Sequence, residues 1–174
     1  MSKDNNTVMS EQDLFIMRLY SSAQSWNHAC QLLVEAEKID HSLRIMLNSV
    51  LVLATELSIK TILAISGHNE KCLCSSGHKL SELFEKLGKQ NLKVISKVFE
   101  EAYETKVGQE IDFMVMLKQH DNCFTEWRYM TFVKDLADLR DNFDYIFMVN
   151  CQRATAQQME IVHKLYLEAA NSHD

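Results

Sequence analysis

Glu56 and Lys60 stand four residues apart inside an apolar stretch, DHSLRIMLNSVLVLATELSIKTILAISG from Asp40 to Gly67, so a helix there sets opposite charges one turn apart. On an exposed face such a pair contributes only a few tenths of a kcal/mol. Apolar neighbours on either side also allow partial burial, and a partly buried pair needs further polar partners. The spacing leaves both readings open. His78 opens a later helix outside any apolar stripe, a position suited to capping or to ligand contact. A compact aromatic and basic motif, TEWRYM at Thr125 to Met130, presents Trp127, Arg128 and Tyr129 in three directions if it forms a turn or a single helical turn.

Conventional catalytic spacings are missing. The seven histidines include no HExxH pair, no serine sits in GxSxG, and there is no Walker-type or glycine-rich phosphate loop. The motifs therefore mark no enzyme. Five cysteines, Cys30, Cys72, Cys74, Cys123 and Cys151, are an odd and scattered set that reads as free thiols of a reducing compartment. Cys30 and Cys151 fall on apolar faces as small buried hydrophobes. Cys72 and Cys74 form a CxC pair with no second pair at zinc-finger spacing, so two unconnected loop thiols are expected, with no metal and no cofactor. Asp135, Asp138, Asp141 and Asp144 recur every third residue and read as a solvated acidic stripe.

The elements that must position these groups are helical. Ser10, with Asp13 three residues on, caps a first helix over Glu11 to Glu37. Its apolar face is Phe15, Leu19, Ala23, Trp26, Cys30 and Leu33, with Trp26 as a core anchor. The central helix follows a connection at Lys38 to Ser42 and ends at Gly67. His68 to Gly77 reads as a polar loop, and His78 to Gly88 as a third helix capped by Ser75 or Ser76. A further helix spans Leu92 to Thr105, and Ile111 to Leu117 is a short helix of ambiguous period. The last helix runs from Thr131 or Leu136 to Tyr166 or Ala170.

Four or five main helices joined by short loops predict an all-α up-and-down bundle. The sequence reads as one domain over residues 11–170, between flexible tails at 1–10 and 171–174. With no proline and only four glycines in 174 residues, little interrupts long helices. Eighteen basic against twenty-four acidic side chains give a formal charge of -6, which argues against broad electrostatic capture of nucleic acid but not against a small basic groove. The polar N-terminus lacks a signal-peptide core, and Glu56 and Lys60 interrupt the most apolar stretch. A cytoplasmic protein with no membrane partner is expected.

Three segments in order, ELSIKTILAISG (Glu56 to Gly67), GHKLSELFEKL (Gly77 to Leu87) and FTEWRYMTF (Phe124 to Phe132), resemble the HEPN domains, the higher-eukaryote and prokaryote nucleotide-binding superfamily, especially its small prokaryotic members. The resemblance covers about residues 11–170. It implies an HEPN-like all-α bundle, commonly a homodimer, of defence systems, toxin-antitoxin modules and RNA-processing proteins. Glu56, Lys60, His78, Arg128 and Tyr129 match the pattern. Brought together, Lys60, His78 and Arg128 would offer donors to a nucleotide, a phosphate or RNA, with Glu56 orienting one of the basic groups. Equally, the same five residues could tie helices and loops together without a ligand.

Many HEPN proteins are metal-independent endoribonucleases that use an arginine followed four to six residues later by a histidine. No arginine in this chain has a histidine at that distance. The reading is a binding module, with a nucleotidyltransferase-like or other protein as a candidate partner. A divergent metal-independent endoribonuclease is one alternative, and a structural protein–protein interaction module is another.

Overall fold

The computed structural model describes residues 9–38, 40, 43–107, 112–121 and 144–172. Seven helices and no strand lie among them, so the expected up-and-down bundle of four or five helices is corrected. All-α holds, and the helices form a bundle. The helix that was not expected comes from a short polar stretch capped by its own side chain: part of what read as the loop at His68 to Gly77 is helical.

Helix α1 (Glu11–Glu37) starts on a capping box. The Ser10 hydroxyl accepts from the Asp13 amide at 3.1 Å, and the Asp13 carboxylate accepts from the Ser10 amide at 3.2 Å. Ile16, Ala23, Asn27 and Cys30 form its inner ridge. Trp26 is 37% exposed, which corrects its expected role as a core anchor. The buried ridge passes through Asn27 because that amide is held from below by Ser58 and Gln152 of two other helices, and the adjoining Trp26 is turned toward the edge.

Helix α2 (Arg44–Ile65) is the element on which α1 and three later helices pack. Leu47, Leu51, Val52, Ala54, Ile59 and Ile62 are fully buried. Its buried hydroxyls bond to the preceding turn of their own helix, Thr55 to the Leu51 carbonyl and Ser58 to the Ala54 carbonyl, each at 2.8 Å. By length and composition the stretch Met46–Ile65 could cross a membrane, yet 72% of it is buried inside the protein, as suits a core helix. Gly67, at φ +97°, ends α2 in the left-handed region, and the His68 amide returns to the Leu63 carbonyl at 3.0 Å.

Asn69 then caps α3 (Glu70–Ser75), its side chain accepting from the Cys72 amide at 2.9 Å. Helix α4 (Leu80–Lys86) begins two residues later than expected, and neither Ser75 nor Ser76 caps it. Its orphan amide at Ser81 is taken from a distance by the Asp121 carboxylate at 2.7 Å.

Helix α5 spans Lys89–Val107, and Asp112 caps α6 (Phe113–Gln119). Helix α7 (Tyr145–Asn171) starts at Asp144, whose extended backbone and carboxylate cap it, the latter accepting from the Phe147 amide at 2.8 Å. A last helix running through this point is therefore corrected, and Asp144 belongs to a cap. Asp135, Asp138, Asp141 and Cys123 lie outside the described residues.

Rings from four helices close the core: Phe84 meets Phe113 at 5.2 Å, Phe113 meets Phe99 at 5.0 Å, and Phe99 meets Phe147 at 4.8 Å between centroids.

Candidate functional site

Glu56 lies on the buried side of α2, its side chain 3% exposed. A carboxylate so far from water must be paired and hydrogen-bonded. Lys60, one turn on, donates from Nζ to Oε1 at 2.8 Å. The second partner comes from outside the helix: His78 Nδ1 lies 3.0 Å from Oε2 and 3.1 Å from Oε1. An ionised carboxylate only accepts, so Nδ1 carries the proton and donates. The pair is thus the core of a seam joining α2 to the segment between α3 and α4.

That segment is shaped for the task. Gly77, at φ +67°, turns the chain in the left-handed region immediately before His78. On the other side, the Lys86 ammonium of α4 donates to the Ser76 hydroxyl at 2.5 Å, and this hydroxyl donates to the Cys72 carbonyl at 2.8 Å. Exposure grades outward along the seam, from Glu56 at 3% through Lys60 at 12% to His78 at 50%. The arrangement sets a largely buried ammonium and a half-exposed imidazole over a buried anion.

Of the five residues singled out in the sequence, Glu56, Lys60 and His78 come together. Arg128 and Tyr129 lie outside the described residues. Cys30 and Cys151 are buried free thiols, and burial pushes the Cys30 thiol up to about 12 and Cys151 higher still, so both are poor nucleophiles. Cys72, half-buried on α3, has its sulfur 3.9 Å from His68 Nδ1, and Cys74 is exposed. Among the described residues no three His, Cys, Asp or Glu side chains are grouped to hold a metal ion.

Three polar constructions escaped the sequence reading. Buried Asn27 donates to the Ser58 hydroxyl at 3.2 Å and accepts from Gln152 at 2.7 Å, a relay through α1, α2 and α7. Their carboxamides on otherwise apolar faces were the available signal. Buried Glu37 is held by Arg44, whose guanidinium also stacks 4.4 Å above the Tyr145 ring. His120, fully buried, has Nδ1 2.8 Å from the Met116 carbonyl, while Nε2 accepts the Asp144 amide at 3.0 Å. Those partners require the neutral ring with the proton on Nδ1, and burial lowers its pKa from the usual histidine value.

No protein-family model matches the chain, and neither a curated protein nor a solved structure shows significant similarity to it.

Proposed function

We propose that this compact helical module is an HEPN-type binding protein whose Glu56–Lys60–His78 seam takes the phosphate of a nucleotide or of an RNA end. One observation carries the reading: a nearly inaccessible carboxylate holds both an ammonium and an imidazole that grade out to the surface. Lys60 spends one of its three N–H donors on Glu56. Fixing such groups before a ligand arrives lowers the ordering cost of binding. In this proposal Arg128 and Tyr129 complete the site, as the resemblance implies. Membership of a cytoplasmic defence or toxin-antitoxin system, with a nucleotidyltransferase-like partner, follows from the same resemblance.

Calorimetry with mononucleotides and short RNAs at low salt tests the site. Saturable binding is expected, weakening as salt rises. Lys60→Gln keeps most of the side-chain length and removes the charge, so it should fold and lose affinity. A folded parent protein that binds nothing on this panel would reduce the seam to architecture and leave an interaction module.

Self-association belongs to the same proposal. Leu14 and Met17 of α1, and Ile161 and Leu165 of α7, are large apolar side chains at least 40% exposed. Sedimentation at micromolar concentration should give a dimer, and a mass of about 20 kDa over a hundredfold dilution refutes it.

A second reading rests on the His78–Glu56 contact. A carboxylate that fixes an imidazole tautomer is the usual support for general acid–base chemistry. Cleavage of a fluorogenic RNA in chelator, abolished by His78→Ala, would favour the ribonuclease. No cleavage above background would remove it.

A further inference from the structure

The Asn27–Gln152 relay forms part of a cleft unrelated to the seam. Helices α1 and α7 both rest on α2, and between them lies a cavity of about 470 Å³. That volume falls within the range of roughly 300–1,000 Å³ typical of small-molecule sites. Five of its twelve lining residues carry carboxamides: Gln24, Asn27, Gln31, Gln152 and Gln157.

Gln152 is the informative member. The residue is 95% buried and anchored from behind by one N–H, which donates to Asn27. Among the described residues its Oε1 has no hydrogen-bond partner, yet it is not a wholly buried orphan atom, so it keeps some contact with solvent, and the cleft is the opening this residue lines. A carboxamide has two N–H donors and an acceptor oxygen. Gln152 therefore offers the cleft a carbonyl beside an amide hydrogen, held rigid by the chain through Asn27 to Ser58.

The ligand that pairs with a fixed carboxamide has a donor beside an acceptor. Charge narrows the class. Two carboxylates, Glu35 and Glu160, line the cleft against one guanidinium, Arg153, which disfavours a polyanion. An apolar helix is also a poor occupant, because it would desolvate the carboxamides without pairing them.

We propose that the α1–α7 cleft binds an uncharged nitrogen heterocycle of nucleoside size through a lactam edge, its N–H donating to Gln152 Oε1 and its C=O accepting from the Gln152 amide. This site is independent of the phosphate seam. Ser58 lies two residues from both Glu56 and Lys60, roughly 200° around α2, so relay and seam occupy opposite faces of one helix.

The full chain, labelled for side-chain and backbone amide resonances, is titrated with inosine and with uridine at low and high salt. Saturable shifts at Asn27, Gln152 and their neighbours are expected, with affinity unaffected by salt. N1-methylinosine and N3-methyluridine lack the donor and should bind at least tenfold more weakly. Gln152→Leu should abolish the shifts. Should that variant not fold, Gln31→Trp fills the cleft from its exposed rim, leaves the buried relay intact and should have the same effect. Lys60→Gln should leave nucleoside binding unchanged, which keeps this test separate from that of the seam. Absence of saturable shifts with both nucleosides overturns the proposal, as does equal binding of the methylated probes, persistence in folded Gln31→Trp, or loss in folded Lys60→Gln.

Discussion

Replacing Glu56 by Gln tests the seam with almost no change of shape. The native carboxylate accepts at both oxygens, from Lys60 at 2.8 Å and from His78 at 3.0 Å. A carboxamide accepts at one end only and places an NH2 against a donor at the other. One charge-assisted hydrogen bond is therefore lost, worth about 1.5–3 kcal/mol. Lys60 also loses its counterion while its side chain is 12% exposed. Breaking a fully buried pair costs about 3–5 kcal/mol, but the partial exposure of Lys60 and half-exposure of His78 let water recover some of that. The net expectation is a loss of about 2–4 kcal/mol. For a chain of 174 residues this lowers Tm by roughly 4–16 °C, since 1 kcal/mol corresponds to about 2–4 °C at this size. Urea unfolding followed by circular dichroism at pH 7.5 measures it. An unchanged m-value with a loss below about 0.5 kcal/mol would refute the claim that Glu56 fastens α2 to the His78 segment.

Three other outcomes follow from the described contacts. The folded pKa of His120 lies below its unfolded value of about 6.5, so the unfolded chain binds more protons in acid; stability should be fully present above that pH and fall as pH drops, although Asp144 and Asp121 partly favour the charged ring. Urea midpoints at pH 7.5, 6.5 and 5.5 check this, with a flatter profile expected for His120→Gln and an unchanged one counting against it. His163, whose pKa burial also lowers, adds to the trend in the same direction. Asp121→Ala leaves the Ser81 amide at the start of α4 without its acceptor and should cost about 1–2 kcal/mol, read from the same unfolding curve. Among the four described cysteines, alkylation followed by peptide mapping should modify Cys74 first and Cys72 next, while Cys30 and Cys151 react only on unfolding.

The long elements were legible along the chain, apart from the start of the last one. Ser10 and Asp13 mark the start of α1 through side-chain-to-amide bonds over three residues, and Gly67 marks the end of α2 through its left-handed φ. Continuous apolar content made α2 recognisable as the central helix, because few arrangements other than burial on several sides suit it. The i,i+4 spacing likewise fixed the Glu56–Lys60 contact. Where the reading failed, the competing signals were short. Asn69 starts α3 inside a polar run, and Asp144 has an extended backbone and caps α7, so one expected loop became helical and one expected helix begins later.

Tertiary structure alone decided the partners that buried polar groups meet across helices. Nothing local tells that His78 reaches Glu56 across 22 residues, that Gln152 reaches Asn27 across 125, or that Asp121 caps α4 across 40. Trp26 shows the same limit: periodicity placed it on a face, and the hydrogen bonds of neighbouring Asn27 to two other helices decided which edge of that face is buried. Helical periodicity is set by bonds within one turn, whereas the pairing of buried polar groups depends on how the helices pack, so the first can be read along the chain and the second only across it.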